Sequence, residues 1–363
     1  MNFITILIIL VAIAIYSLIT YYIGYNGWVW LRTTLLKKHK KIYVAIIIFL
    51  AISIFAGQFL PIAMFKIIGS IWMAILAFSL LVLPITNIIY FALKKKGIFW
   101  IGFSVVSLFV CLYIYGSFNA WSPVIKTYDI AIDKKSKLPE LKIVMASDFH
   151  LGSIVGINHL ERFEALVKQE KPDIVLIPGD IIDDNIEPFL KNKMSNIIGK
   201  IEAPLGVYAV LGNHDYYGND MVAVIEEMEK IGVQMLMDEY VSTNQDLYIV
   251  GRKEHTDKTR KNISDFMQDL DVNKPIIMMD HQPKDLAEAQ ENGVDLLLSG
   301  HTHGGQIAPG NLITNMIFEN DYGYLRKENL HSIVSSGFGT WGPALRIGTR
   351  SEVVVINVAF LKK

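Results

Sequence analysis

Polar clusters rich in aspartate and histidine directly follow five short apolar segments in the carboxyl-terminal two-thirds of the chain. The clusters are residues 147–152, 178–183, 211–215, 280–283 and 299–305. Because the carboxyl ends of parallel strands in an open α/β sheet point at one crevice, we expect these clusters to converge. The candidate metal-binding residues that they supply are Asp148, His150, Asp180, Asn213, His281, His301 and His303.

The ligand types indicate which chemistry such a site could perform. Carboxylate, amide oxygen and imidazole groups without thiolate suit divalent manganese, iron, zinc or magnesium. Seven ligands are too many for one tetrahedral ion with an open position, but they fit two ions that share a bridging carboxylate. Two ions about 3.5–4 Å apart can activate a hydroxide and hold the oxygens of an in-line phosphoryl displacement.

Each cluster taken alone has a simpler interpretation. The pair Gly179-Asp180 is also typical of a turn at a strand end, and Asn213 could cap a helix. The pair His301 and His303, flanked by glycines, is more specific for a metal. Five clusters in this order, all at predicted strand ends, favour a metal site over five unrelated turns.

Eight short segments rich in β-branched residues predict the strands that position these clusters. They are residues 141–145, 173–177, 206–210, 247–250, 275–279, 295–298, 332–334 and 352–356. Their nearly continuous apolar character is typical of sheets covered on both faces. Residues 160–170 and 221–231 have the periodicity of amphipathic helices between strands. We therefore predict an α/β domain over residues 141–363.

The amino-terminal third has a different composition. The chain of 363 residues is 52% hydrophobic and 19% charged, with a mean hydropathy of +0.35, and residues 1–125 hold nine basic and no acidic residues. Apolar runs of about twenty residues can cross a bilayer as helices. We predict four transmembrane helices at about 3–23, 42–60, 67–93 and 98–119, hence a transmembrane region over 1–121 and a linker over 122–140. The first helix lacks the basic segment that precedes a cleaved signal, so we expect it to be retained.

The basic residues of this region predict its orientation. Eight of the nine lie in the loops between the first and second and between the third and fourth helices, and such loops stay cytoplasmic. With four helices, the residues after 121 are then outside the cytoplasm. No Asp, Glu, Arg or His lies within the predicted spans, which favours a membrane anchor over a transporter. The expected partner is the bilayer of the cell membrane, and the sequence indicates no particular protein partner.

The order of the polar motifs resembles that of the calcineurin-like metallophosphoesterase superfamily. The matching motifs are Asp148-x-His150, Gly179-Asp180-x-x-Asp183, Gly212-Asn213-His214-Asp215, His281 and Gly300-His301-x-His303. The segments most similar to its membrane-associated bacterial phosphodiesterase branch are His281-Gln282-Pro283, His303-Gly304-Gly305-Gln306, Ser336-Gly337-x-Gly339 and Arg346-x-Gly348. The resemblance covers residues 140–358 and implies a four-layer αββα sandwich with a dinuclear metal site.

The resemblance also implies a role for each site residue. By this likeness, one metal ion is held by Asp148, His150, Asp180 and His303, and the other by Asp180, Asn213, His281 and His301. His214 then lies beside the substrate, where it protonates the leaving oxygen or stabilises the phosphoryl charge. Asp183 orients His214, a role for which Asp184 and Asp215 are alternatives.

Three hypotheses about function follow. The leading one is a membrane-anchored dinuclear-metal phosphoesterase that hydrolyses phosphodiester or phosphomonoester bonds by metal-activated hydroxide attack, on a lipid or cell-envelope substrate. The alternatives are a cytoplasmic-face pyrophosphatase acting on a nucleotide-linked lipid, and a non-catalytic membrane scaffold or sensor. Arg252 is a candidate contact for a substrate phosphate, with a solvated charged loop as the alternative. Nucleic acid is not an expected substrate, because residues 126–363 hold 25 basic against 35 acidic residues.

Overall fold

The computed structural model describes residues 3–60, 63–218 and 220–361. The chain forms two compact units, Met1–Tyr115 and Gly116–Lys363. Within the described residues the long helices are α1 (Phe3–Leu31), α2 (Lys40–Phe59), α3 (Ala63–Ala92) and α4 (Ile98–Trp121), the last of which continues into the second unit. A short 3-10 helix, Leu35–Lys38, lies between α1 and α2. Each long helix is long and apolar enough to cross a membrane, which confirms the four predicted apolar helices.

Small residues and hydrogen bonds join the helices of the first unit. A Cβ atom on Gly69 of α3 would lie 3.0 Å from the Cα atom of Ile54 in α2, so glycine lets the two backbones approach. The hydroxyl of Tyr16 donates to the carbonyl of Ala51 at 2.7 Å, and the indole of Trp72 donates to the Tyr16 hydroxyl at 3.0 Å. Such contacts hold apolar helices together in lipid, where burial of apolar surface gives no driving force.

Two six-stranded sheets form the second unit, as far as its residues are described. In chain order the strands are β1 (Val124–Lys135), β2 (Glu140–Met145), β3 (Ile174–Pro178), β4 (Val207–Val210), β5 (Gln234–Met235), β6 (Glu239–Ser242), β7 (Tyr248–Gly251), β8 (Ile276–Met279), β9 (Leu296–Ser299), β10 (Gly323–Lys327), β11 (Leu330–Val334) and β12 (Glu352–Leu361). The strand orders are β1-β12-β2-β3-β4-β5 and β10-β11-β9-β8-β7-β6. β2 to β5 run parallel in the first sheet, and β7, β8, β9 and β11 run parallel in the second. In each sheet, the carboxyl ends of these parallel strands therefore lie at one edge.

Helices connect the strands and cover the outer faces of the sheets. They are α5 (Ile157–Glu170), α6 (Glu187–Lys191), α7 (Ser195–Ile198), α8 (Asn213–Tyr217), α9 (Met221–Lys230), α10 (Ile263–Met267), α11 (Leu286–Glu291) and α12 (Gly310–Ile317), with a 3-10 helix at His303–Gly305. Successive side chains of a strand point to opposite faces. Met145 of β2 packs between the sheets with Ile277 of β8, while its neighbour Val144 packs in the core that contains Phe163 of α5. Because α10 and α11 cover the far side of the second sheet, the domain has four layers, as the predicted αββα sandwich requires.

The predicted linker of residues 122–140 is largely a strand. Val124–Lys135 form β1, which pairs in parallel with β12. Ile130 and Ile132 are buried between exposed neighbours, the alternation of a strand with one covered face. The α/β domain therefore begins within three residues of Trp121, the last residue of α4.

Candidate metal centre

The structure brings the seven predicted ligand residues together at the carboxyl ends of strands from both sheets. They lie after β2 (Asp148 and His150), β3 (Asp180), β4 (Asn213), β8 (His281) and β9 (His301 and His303). Six of the seven are buried, and His301 is partly buried. Residues separated by up to 155 positions in sequence thus share one polar cluster, which we name the ligand cluster.

Asp148, His150 and His303 form one part of the ligand cluster. The Nε2 atoms of His150 and His303 are 3.0 Å apart, and Asp148 Oδ1 lies 3.5 Å from His303 Nε2. The ligand atoms of these three residues all lie within 4.8 Å of one another. A single cation could contact all three side chains.

Asp180 lies between this group and a second one. Its Oδ2 atom is 3.7 Å from His150 Nε2 and 3.3 Å from His281 Nε2. In the second group, the amide oxygen of Asn213 lies 3.1 Å from His281 Nε2 and 2.8 Å from His301 Nδ1. The position of Asp180 therefore fits a carboxylate shared by two ions.

The backbone at the ligands has an unusual conformation. Five of them have φ between +47° and +70°, namely Asp148, His150, Asp180, His301 and His303. Such left-handed conformations are uncommon outside glycine, and they persist where the surrounding structure over-determines them. Here the N–H of Asp148 donates to the carbonyl of Gly179 at 3.0 Å, and the N–H of His150 donates to the carbonyl of Asp180 at 3.1 Å. The two strand-end turns thus hold each other in place.

The turn after β3 also fixes the imidazole of His281. Gly179 has φ +86°, and a Cβ atom there would lie 2.6 Å from His281 Nδ1, so the ring approaches the backbone closely because residue 179 is glycine. His281 Nδ1 donates to the carbonyl of Pro178 at 2.9 Å. With its proton on Nδ1, the ring leaves Nε2 free to act as a ligand.

Burial keeps three imidazoles of the cluster neutral. It lowers the pKa of His150 to about 3 and the pKa of His301 to about 4, and it holds the pKa of His303 well below its usual range. Burial acts in the same direction on His281, but the adjacent Asp180 carboxylate outweighs it and raises the pKa of His281 to about 10. Neutral imidazoles and ionised carboxylates are the forms that bind divalent cations.

The residues present fit a divalent metal centre. Nδ1 of His150 is buried and has no hydrogen-bond partner among the described residues, while its Nε2 faces His303 and Asp180. The buried carboxylates of Asp148 and Asp180, together with the three imidazoles that burial keeps neutral, offer oxygen and nitrogen acceptor atoms to a cation. Mixed oxygen and nitrogen ligands of this kind suit borderline divalent ions.

His214 lies beside the ligands and contacts Asp184. Its Nδ1 atom is 2.6 Å from Asp184 Oδ1, and its ring centroid is 4.7 Å from that of His150. Asp184, one of the two alternatives named from the sequence, makes this contact. Asp183, to which the resemblance gives the orienting role, is also close, since ligand atoms of His150, Asp183 and His214 all lie within 4.8 Å of one another. Burial lowers the pKa of His214, but the hydrogen bond to Asp184 and the charge of Asp180 outweigh it, so this pKa lies above its usual value.

Asp215, the other alternative, has a different role. Its carboxylate accepts hydrogen bonds from the backbone N–H groups of Ile181 at 3.2 Å, Ile182 at 2.9 Å and Gly212 at 2.8 Å. These contacts tie the turn after β3 to the turn after β4. Asp215 therefore stabilises the backbone that carries Asp180 and Asn213.

Arg252 is buried away from solvent, and the structure corrects its predicted contact with a substrate phosphate. Its Nη1 atom lies 3.0 Å from Asp280 Oδ2 and 2.8 Å from Asp285 Oδ2, and its side chain is 2% exposed. Nη2 donates to the carbonyl of Lys261 at 3.0 Å. The charge of Arg252 is thus paired inside the protein.

Arg346 also contacts the cluster, a site role that the sequence motifs did not predict. It is fully buried, and its Nη2 atom lies 3.3 Å from His303 Nδ1 and donates to the carbonyl of Gly337 at 3.0 Å. Burial lowers the pKa of Arg346 to about 10. The signal that could have found it was a charged residue within the glycine-rich segment 337–348.

Comparisons with known proteins agree with this geometry. Residues 141–305 match the calcineurin-like phosphoesterase family. An uncharacterized metallophosphoesterase of Aquifex aeolicus is 34% identical over 257 residues, 69% of this chain and 97% of that protein. A second, from Campylobacter jejuni, is 31% identical over 354 residues, 90% of this chain and 92% of that protein.

A eukaryotic relative has a name that mentions a membrane. It is a transmembrane protein with metallophosphoesterase domain from Danio rerio, 32% identical over 271 residues, 68% of this chain and 60% of that protein. The relatives from Aquifex aeolicus and Campylobacter jejuni align over nearly their whole length, which confirms the resemblance found in the motifs. The chain therefore belongs to the calcineurin-like metallophosphoesterase family and is a metal-dependent phosphoester hydrolase.

Proposed function

We propose that this protein is a membrane-anchored phosphoesterase with two metal ions, which acts outside the cytoplasm on phosphodiesters or phosphomonoesters of a lipid or cell-envelope substrate. One observation carries the proposal: ligand side chains from five separate strand ends converge, and His214 lies beside them. A non-catalytic scaffold would need neither the complete ligand set nor His214. Four long apolar helices support membrane anchoring.

Two ions are proposed because the ligands divide into two sets around Asp180. One set contains Asp148, His150 and His303, and the other contains Asn213, His281 and His301. Two divalent ions bound there would supply Lewis-acid activation of water and would offset the negative charge of the phosphoryl group. Manganese, iron and zinc all accept mixed imidazole and carboxylate ligands.

The protein's own residues would then position the ester and move a proton. Asp184 accepts a hydrogen bond from His214 Nδ1, which leaves Nε2 as the atom that can donate to the leaving oxygen. The rings of Tyr217 and Trp341 lie 5.2 Å and 6.0 Å from the ring of His214. These aromatic rings can contact the organic part of the substrate and keep water away from the departing group.

A substrate panel tests the reaction. Detergent-purified full-length protein is loaded with manganese, iron or zinc in turn, and phosphate release is measured from phospholipids, lipid pyrophosphates and nucleotide esters. We expect turnover of at least one membrane phosphoester that the His214→Ala variant lacks. Absence of turnover with every metal and every ester would contradict the proposed function.

A labelling experiment tests the side of the membrane. The native Cys111 is replaced by serine, and single cysteines are introduced at Val222, an exposed position of α9, and at Lys38 in the basic loop between α1 and α2. We expect an impermeant thiol reagent to reach position 222 in intact cells and position 38 only after lysis. The reverse pattern would place the domain in the cytoplasm and favour a nucleotide-linked lipid pyrophosphate as the substrate.

A further inference from the structure

The helix α12, Gly310–Ile317, has an apolar face with no partner among the described residues. The side chains of that face are Leu312 (63% exposed), Ile313 (62%), Met316 (87%) and Ile317 (63%). None of the residues of α12 is buried. A helix of eight residues is marginal on its own and ordinarily depends on burial of an apolar face. Here the hydroxyl of Thr314 instead holds the opposite face, by donating to Asp321 Oδ2 at 2.7 Å.

Both ends of α12 adjoin the ligand cluster. His303 lies seven residues before the helix, and Phe318, directly after it, has its ring centroid 5.9 Å from that of His301. Trp341, which is 49% exposed, lies beside His214, with 6.0 Å between the ring centroids. Its backbone N–H donates to Gln306 Oε1 at 3.0 Å. The helix that carries the exposed apolar face is thus flanked on both sides by residues of the metal centre or in contact with it.

A chain of hydrogen bonds links α12 to the end of α4. The N–H of Arg346 donates to the carbonyl of Gly116 at 2.9 Å, and Asn119 Nδ2 donates to the Arg346 carbonyl at 3.1 Å. The next residue, Ile347, accepts a hydrogen bond from the N–H of Ala308 at 2.7 Å, two residues before α12. Residues 116–121 are the last residues of α4, which is one of the four helices long and apolar enough to cross a membrane.

We propose that α12 lies in the surface of the bilayer, with its apolar face among the acyl chains, and holds the entrance of the metal centre against phosphoesters of membrane lipids. Interfacial helices bury such a face about 5–10 Å below the headgroup boundary. The helix carries no charged residue, so a zwitterionic bilayer suffices as its partner. The part of the proposal that concerns substrate delivery rests on the proposed function, whereas insertion of the helix does not.

Fluorescence quenching tests the insertion without any assay of activity. Full-length C111S protein carries a fluorophore on Met316→Cys and is reconstituted in phosphatidylcholine vesicles that contain nitroxide-labelled acyl chains. We expect strong quenching at position 316 and little at the control Val272→Cys. Val272 is also exposed, at 49%, but it precedes β8, whereas the ligand His281 follows the other end of that strand. Equal quenching at the two positions, or self-quenching that reports pairing of two copies through α12, would overturn the proposal.

Kinetics test the delivery of substrate. Turnover of a vesicle-embedded phosphoester is divided by turnover of a soluble p-nitrophenyl phosphate ester. This ratio is measured for the wild type, for I313S/M316S and for V272S. We expect this ratio to fall about tenfold or more in the double variant, since two apolar side chains that would insert among the acyl chains become polar, and to stay constant in V272S. An unchanged ratio in the double variant would refute delivery through α12, and wild-type protein inactive on both esters would refute the proposed function instead.

Discussion

The adjacent residues Asp280 and His281 belong to two different polar clusters, and the two clusters differ in how their charges are balanced. His281 belongs to the ligand cluster, whereas Asp280 belongs to a cluster with Arg252, Arg260 and Asp285, which we name the arginine–aspartate cluster. In the latter, Arg260 Nη2 lies 2.6 Å from Asp280 Oδ2 and 2.9 Å from Asp285 Oδ2. Two guanidinium groups therefore face two carboxylates, and the formal charges cancel.

The ligand cluster is balanced less completely: of its four imidazoles only His281, beside Asp180, has a raised pKa, and Arg346 contacts the cluster at His303. Its aspartates face imidazoles that burial keeps largely neutral, and two of those rings face each other through their Nε2 atoms. Burial of a charge is tolerated when the charge is paired or bound to a metal. Depth of burial thus does not distinguish a binding site from a structural ion pair, whereas complete pairing of every buried carboxylate with a guanidinium group does.

The largest expected effect comes from removing a shared carboxylate of the ligand cluster. Asp180→Asn should reduce phosphoesterase activity to background and lower the bound metal, because Asp180 contacts both ligand sets. Activity and elemental analysis of the purified protein measure the two effects. Asp129→Asn, an exposed carboxylate of β1 that accepts from Asn357, is the matched control, and full metal content in Asp180→Asn would contradict the dinuclear assignment.

A smaller loss is expected at His214, which lies beside the ligands. His214→Ala should lower kcat about 10²–10⁴-fold for esters with poor leaving groups, since a general acid contributes about that much. Metal content should equal that of the wild type, because Nδ1 of the ring is engaged by Asp184 and the two proposed ligand sets do not include His214. If elemental analysis shows that the variant has lost metal, His214 belongs to the ligands instead.

The neighbouring carboxylates give the next effect in size. Asp184→Asn should lower kcat about 10–100-fold, the usual effect of losing a group that orients a catalytic or ligand histidine. Asp183→Asn serves as the comparison, because its carboxylate also lies near His214 and His150 but is not assigned the orienting contact. A larger loss of kcat in Asp183→Asn than in Asp184→Asn would return that role to Asp183.

The smallest effect on catalysis is expected in the arginine–aspartate cluster. Arg252→Met should change kcat by less than about threefold while lowering the unfolding temperature by several degrees. The stability loss should stay below the about 3–5 kcal/mol typical of breaking a buried ion pair, since Arg260 still contacts both aspartates. Thermal unfolding in detergent measures the change in stability, and kinetics of the same preparation measure the change in kcat. A loss of kcat without destabilisation would indicate that Arg252 contacts the substrate.

The strand-end motifs could be predicted from sequence because local pattern determines them. Apolar segments predict strands, and the residue after each strand lies at the sheet edge whatever the other strands do. The choice between Asp183 and Asp184 could not be made in this way, because both are carboxylates in one turn and the left-handed φ of +61° at Asp184 is a property of the folded loop. The pairing of Arg252 depends on partners 28 and 33 residues away, which only the tertiary fold brings into contact.

The strand β1 was missed for a related reason. Residues 124–135 contain five charged side chains, so their pattern has the polarity of a linker. The strand forms because β12 offers a long unpaired edge, with register running from Val124 opposite Glu352 to Ile132 opposite Phe360. Edge strands depend on such a neighbour more than on their own composition.

The left-handed backbone at five of the ligands limits which amino acids could replace them. Among residues with a side chain, Asn, Asp and His adopt positive φ far more readily than β-branched residues do. Asp and His are also the residue types that supply oxygen and nitrogen donors, so at positions 148, 150, 180, 301 and 303 the backbone and the metal restrict the choice in the same direction. Evolution at these positions can exchange one donor for another, but it has little room to shift toward threonine or valine without rebuilding the turn itself.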